Sequence, residues 1–207
     1  MAAEIVTIDR GAPEQAFSRC RDVVRSGGVV AYPTDTFYGL GADPRSEAAV
    51  ERLFSIKGRG THQPILLLLP GVDAVSDWSS SVSPAAKRLM ERFWPGPLTL
   101  VFAARNDVLP ALTAKTGRIG LRVPGNEITR SLLLFLGSAL TGTSANLTGG
   151  AETRSAGDVV RELGDRLELV LDGGPSVGEL PSTVVDVTSD RPIVLRQGAI
   201  AEAALFV

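Results

Sequence analysis

Lys57 and Arg59 flank Gly58 at the end of a helical pattern. A lysine and an arginine two positions apart can converge on one polyphosphate, the first as a point charge and the second as a bidentate fork. A basic helix C-terminus favoured by the macrodipole explains the same residues. The Gly-rich stretch of a Walker A loop is missing before the lysine. Both cations are expected at the surface of a cleft.

Three further segments gather small polar groups. The run Tyr32-Pro33-Thr34-Asp35-Thr36-Phe37-Tyr38-Gly39-Leu40-Gly41 follows a buried strand pattern, where α/β folds present ligand sites. Its hydroxyls can donate and accept, and its glycines let backbone approach a ligand. A tight turn closed by Asp35 on its own backbone is the alternative. The run Thr141 to Gly150 also follows a strand and suits a phosphate or ribose cradle built from backbone N–H groups, or else a plain polar loop. Late in the chain, Ser182 opens a strand and could hold a small polar ligand, while Arg196 ends one and could hold phosphate.

Other chemistries find little support. His62 is the only histidine and Cys20 the only cysteine, so a structural zinc site or a Cys/His catalytic pair is not expected. No Gly-x-Ser-x-Gly elbow occurs. Trp78, Trp94 and the phenylalanines do not alternate with basic residues and read as core.

The elements that must position these groups alternate between helix and strand, which indicates an α/β or α+β domain. Phe17, Cys20 and Val24 give a helix from about Glu14 to Ser26, stopped by Gly27 and Gly28. Val29 to Tyr32 and Ile65 to Leu69 read as buried strands. Ser46 caps a helix with Val50, Leu53 and Phe54 inside, and Ser83-Pro84 starts another. Leu98 to Ala103 and Arg118 to Val123 read as strands, followed by a helix from Glu127 to Leu136 and a strand into Thr141. Val159, Val160 and Leu163 mark a helix; Leu169 to Leu171, Thr183 to Val187 and Ile193 to Arg196 read as strands.

With 207 residues and 44% hydrophobic content, the chain can bury one full core. A net charge of -2 argues against a nucleic-acid coat or a polybasic membrane binder. No apolar run is long enough to span a bilayer, and Glu4 and Asp9 do not suit a signal peptide. A cytoplasmic protein is expected.

Taken together, these segments resemble the YrdC-like (TsaC-like) threonylcarbamoyl-AMP synthase family, roughly from Val6 to Ile200. Six motifs occur in family order: Pro33 to Gly41, Lys57 with Arg59, Arg122 to Pro124, Ser144 with Asn146, Ser182 to Asp186, and Leu195 to Ala199. The resemblance implies one domain over residues 1–207, in the short form, with a twisted, mostly mixed sheet flanked by helices and a wide basic cleft. It implies ATP held by Lys57, Arg59, Ser144, Asn146 and Arg196, with Lys57 and Arg59 catalytic. Threonine would lie near Thr36, Arg122, Gly142 and Ser182. Bicarbonate is the third substrate, and Mg²⁺ accompanies ATP without protein side chains as ligands. The product would pass to a complex that modifies the adenosine beside the anticodon of certain tRNAs.

The chain departs from the family pattern at Gly60, Leu68, Asn126 and Gln197, where proline, histidine, histidine and proline are usual. An RNA-binding module using the same cleft, with weak direct RNA binding, is the alternative reading, and a strong salt dependence would be its signature. A carbamoyl-transfer domain of the hydrogenase-maturation type is a third.

Overall fold

Leu98, Leu100 and Phe102 are fully buried, while Thr99 and Val101 between them face a cleft. The two-residue period of a strand sends alternate side chains to opposite faces. Repeated in neighbouring strands, that period decides where the core ends and the site begins. The computed structural model describes residues 3–58, 60 and 63–206.

In chain order the elements are β1 (Glu4–Thr7), α1 (Glu14–Arg25), β2 (Val30–Tyr32), β3 (Gly39–Gly41), α2 (Glu47–Lys57) and β4 (Leu66–Leu68). A 3₁₀ turn at Val72–Asp77 leads to α3 (Pro84–Phe93), β5 (Leu98–Ala103), β6 (Arg118–Arg122), α4 (Glu127–Leu136) and β7 (Leu140–Ser144). Then come α5 (Ala156–Leu163), β8 (Leu169–Asp172), β9 (Thr183–Asp186), β10 (Ile193–Arg196) and α6 (Glu202–Leu205).

The strands form one 10-stranded sheet in the order β1-β8-β2-β3-β7-β4-β6-β5-β9-β10. Its pairings are mixed, as expected: β1 and β2 run parallel to β8, β4 to β6 and β5 to β9. The remaining pairs are antiparallel.

Helices cover both faces. On one, α1 and α4 bury Phe17, Cys20, Leu132 and Leu133 against Tyr32, Leu68, Leu140 and Leu169. On the other, α2, α3 and α5 bury Leu53, Leu89 and Val159 against Leu67, Leu100, Ile119 and Val170. Each fully buried leucine of this kind contributes about 1.5–3 kcal/mol of transfer free energy. Trp78 and Trp94 lie in this second core, as their lack of alternation with basic residues implied.

Local signals place the helix ends. Ser46, Ser83 and Asn126 each accept a hydrogen bond from the backbone N–H three residues on. Ser155 and Asp158 form a reciprocal capping box. Gly58 closes α2 with a left-handed φ of 58°, a conformation glycine reaches without steric cost. No helix among the described residues is long and apolar enough to cross a membrane.

Two segments differ from the sequence reading. The run from Tyr32 to Gly41 is not one loop: its last three residues form β3, clamped between β2 and β7. The strand expected to end near Thr141 continues to Ser144 because Thr143 and Ser144 pair with Leu40 and Gly39. In both places tertiary pairing overrides the weak strand preference of glycine and small polar residues.

Candidate active site

Where α1 and α4 stop covering the sheet, a cleft of about 880 Å³ opens on the same face. Its floor uses the alternate positions of the central strands: Leu66 and Leu68 of β4, Gly120 and Arg122 of β6, Thr99 and Val101 of β5. Glycines keep it open. A Cβ at Gly142 would lie 2.7 Å from Leu66 Cδ1 and 2.9 Å from Leu68 Cγ, so any side chain there would fill the space.

Arg122 ends β6 and is buried. Its Nε donates to the Gly96 carbonyl at 2.9 Å and Nη1 to Thr36 Oγ1 at 3.3 Å. Nη2 lies 2.6 Å from Asp35 Oδ1. That contact is an ion pair without hydrogen-bond alignment, since neither Asp35 oxygen nor Nη2 has a hydrogen-bond partner among the described residues. At that separation Coulomb attraction draws Nη2 toward the carboxylate.

Thr36 is fixed from the other side. Thr34 Oγ1 accepts from the Thr36 N–H at 3.1 Å, donates to the Phe37 carbonyl at 2.6 Å and lies 3.0 Å from Thr36 Oγ1. Across the cleft, Ser182 Oγ is 2.9 Å from Thr99 Oγ1. Arg196 Nη2 donates to the Ser182 carbonyl at 2.9 Å and to its Oγ at 3.3 Å. Partial burial is the main cause that holds the Arg196 guanidinium below its ordinary pKa; Arg122 adds to it and Glu152 opposes it. The group still carries its charge near neutral pH.

The Ser144–Asn146 turn forms another wall. Ser144 Oγ donates to Asn146 Oδ1 at 2.6 Å, and Asn146 Nδ2 donates to the Gly150 carbonyl at 2.7 Å. Lys57 stands behind this turn. Its Nζ donates to the Ser144 carbonyl at 2.6 Å and the Asn146 carbonyl at 2.9 Å. Lys57 is only 3% exposed, against the expectation of a surface cation. The reason is that the end of α2 lies against the turn after β7, where Thr148 bonds the Lys57 carbonyl and the ammonium meets the Ser144 and Asn146 carbonyls.

Of the residues singled out from sequence, Thr36, Arg122, Gly142, Ser144, Ser182 and Arg196 all line the cleft. Asn146 and Lys57 support it from behind. Arg59 and His62 lie outside the described residues. Leu68 lines the cleft as an apolar wall, and Asn126 serves as a helix cap. Sequence reasoning missed Thr99 and Arg118. Arg118 lines the cleft and donates to Asp186 at 2.7 Å. Strand alternation was the signal for both: Thr99 lies between two core leucines, and Arg118 and Arg122 share a parity on β6.

The family model for Sua5, YciO and YrdC, described as telomere recombination, matches residues 22–198. The chain belongs to the Sua5/YciO/YrdC family. The threonylcarbamoyl-AMP synthase of Bacillus subtilis (strain 168) is 32% identical over 198 residues, covering 95% of this chain and 57% of that protein. The structure of Pyrococcus abyssi Sua5 complexed with L-threonine is 31% identical with a TM-score of 0.93, covering 98% of this chain and 60% of that one. Escherichia coli YciO is 31% identical with a TM-score of 0.87, and 99% of this chain covers 100% of it. The chain thus spans a little over half the length of the first two relatives.

The comparison bears out the family and the mixed-sheet fold expected from the six motifs. It also bears on the cleft, because this Sua5/YciO/YrdC domain aligns with a threonine-bound relative over nearly its whole length.

Proposed function

We propose that the protein is a threonylcarbamoyl-AMP synthase, which joins L-threonine, bicarbonate-derived CO2 and ATP and releases diphosphate. The observation that carries this reading is the convergence of Thr36, Arg122, Ser182 and Arg196 on one cleft in a chain similar to threonine-bound Sua5. Two cations and two hydroxyls in one pocket match a substrate set with a carboxylate, a hydroxyl and a polyphosphate.

In the proposed reaction, the amine of threonine adds CO2 and loses a proton to give an N-carboxylate. One oxygen of that carboxylate attacks the α-phosphorus of ATP. The new O–P bond forms as the bond to diphosphate breaks. The nucleophile is already an anion, so the step needs no strong protein base. What the protein must supply is position and charge neutralisation.

Arg122 would receive the threonine carboxylate, and Ser182, oriented by Thr99, would bond its hydroxyl. Arg196 would face phosphates, and Arg59 takes an ATP-binding role from its motif alone. Lys57 and Asn146 would shape the Ser144 turn that cradles the nucleotide. Among the described residues no group of three or more acidic, histidine or cysteine side chains could hold a metal. Mg²⁺ would enter as part of the substrate, carried on the phosphates of ATP, where it would neutralise charge. Transfer of the product to tRNA by a partner complex, in the cytoplasm, belongs to the same proposal.

The test is diphosphate release by purified protein with each component omitted in turn. Release is expected only when threonine, bicarbonate and ATP are all present, and without tRNA. Release indifferent to threonine and bicarbonate would sink the synthase reading. Release that appears only with RNA would favour a nucleic-acid role for the cleft.

A further inference from the structure

Arg122 has five N–H donors, and the fold already engages three directions of its guanidinium. Gly96 and Thr36 accept from Nε and Nη1, and Asp35 sits against Nη2. One N–H on each terminal nitrogen remains to meet an incoming carboxylate. The pair is enclosed: the side chains of Arg122 and Asp35 are 5% and 15% exposed.

Glycines make the enclosure possible. A Cβ at Gly125 would lie 2.9 Å from Asp35 Oδ2, and one at Gly178 would lie 2.5 Å from the Asp35 carbonyl oxygen. Two loops thus close on Asp35 at distances only hydrogen can occupy. Asp35 does not close a turn on its own backbone, because neither carboxylate oxygen makes a hydrogen bond among the described residues. Among the described residues its ion-pair partner is Arg122. A buried carboxylate with unfilled hydrogen-bonding capacity is costly to keep, so its retention here needs a reason beyond packing.

We infer that Asp35 is a positioning residue, whose carboxylate holds the Arg122 fork at the angle that receives the carboxylate of the amino-acid substrate. The inference rests on the amino-acid reading of the cleft for its last step, but the fixing of Arg122 stands apart from it. The guanidinium is planar, so Gly96 at 2.9 Å and the longer 3.3 Å contact to Thr36 set its plane from one side only, and Asp35, the ion-pair partner of Nη2 among the described residues, supplies the third point. The carboxylate also lowers the net charge that an entering anion meets, so binding should depend on orientation more than on bare attraction.

The experiment has two arms. In the first, ¹⁵N-arginine NMR of the substrate-free protein follows the Arg122 Nε–H signal. It should be sharp and slow to exchange in the natural protein, and broadened or lost in Asp35→Asn. An unchanged signal would show that Gly96 and Thr36 suffice and would overturn the inference, whatever the substrate is.

In the second arm, threonine and ATP affinities are measured for Asp35→Asn, Arg122→Lys and the double variant. Asp35→Asn should lose at least tenfold in threonine affinity with ATP affinity unchanged. The double variant should be no worse than Arg122→Lys alone, because Asp35 acts through Arg122. Additive losses, or equal losses for both ligands, would mean a general structural role and overturn the inference. Should Asp35→Asn not fold, Asp35→Glu carries the test: charge is kept but the fork is displaced, so threonine affinity should fall selectively, and natural affinity would count against it. Failure of the natural protein to bind threonine, with the NMR arm as expected, would refute the amino-acid reading and leave the positioning of Arg122 standing.

Discussion

Lys57 Nζ lies 2.6 Å from the carbonyl oxygen of Ser144, across 87 residues of sequence. A buried ammonium thereby ties the end of α2 to the turn that follows β7. Lys57→Ala should strand two carbonyls, at about 1–3 kcal/mol of stability per unpaired buried acceptor. It should also raise the KM for ATP by loosening the Ser144–Asn146 turn. Chemical denaturation and diphosphate-release kinetics check the two effects. A variant with full stability and poor ATP use would instead favour direct contact between Lys57 and phosphate.

Thr99→Val should leave the fold intact and weaken the site. The substitution nearly preserves volume but removes the partner of Ser182 Oγ. One net hydrogen bond is worth about 0.5–1.5 kcal/mol, so kcat/KM for threonine should fall by up to about tenfold. Discrimination between threonine and valine should shrink as well, because Ser182 Oγ then keeps only the longer 3.3 Å contact from Arg196 among the described residues. Parallel kinetics with both amino acids measure this.

Gly198→Ala should damage the site without touching any charged group. Its Cβ would fall 2.2 Å from the Pro181 carbonyl oxygen and 2.6 Å from the Ser182 carbonyl carbon. These are backbone atoms, so the clash cannot be relieved by a side-chain rotation. The expected cost is about 1–3 kcal/mol, with a raised KM for threonine. Gly71→Ala is the control, since nothing lies within 4 Å of its Cβ position. Thermal melting of the two variants should differ clearly.

Cys20 gives a pH prediction. It is completely buried, and burial pushes its thiol from 9.0 up to about 12. The native state therefore holds a proton that the unfolded chain releases first. That contribution to stability is fully present below about pH 9 and is lost as pH rises toward 12. The limiting slope is about 1.4 kcal/mol per pH unit. Denaturation of the natural protein and Cys20→Ala across this range should show the slope reduced in the variant. Native Cys20 should also resist alkylating reagents at pH 8.

Much of the site was legible because its chemistry sits in short, dense segments. Ser144, Ser182 and Arg196 lie at strand ends and Thr36 in the loop after β2, where a buried pattern stops and polar residues begin. Helix starts at Ser46 and Ser83 were equally plain, since each cap is a local interaction. The hidden parts are those that distant pairing creates. Gly39–Gly41 lacks any strand propensity and becomes β3 only because β2 and β7 flank it. β1 is short, largely exposed and paired at the sheet edge with β8. The burial of Lys57 depends on where α2 ends relative to β7, a relation that no local window of residues contains.

The order of strands in the sheet has a consequence for how the protein comes into being. β1 must wait for β8, and β5 for β9. As the chain leaves the ribosome, the first half emerges with its partners still unmade. Ser182 and Arg196, side by side at the open end of the β9–β10 hairpin, follow Thr36 and Arg122 in the chain. A nascent chain halted before residue 182 would hold Thr36 and Arg122 but half a pocket, so the cleft can gain function only after residues 182–196 have been made. Pairings this distant in sequence also predict slow folding and a period in which unpaired strand edges need protection from other chains.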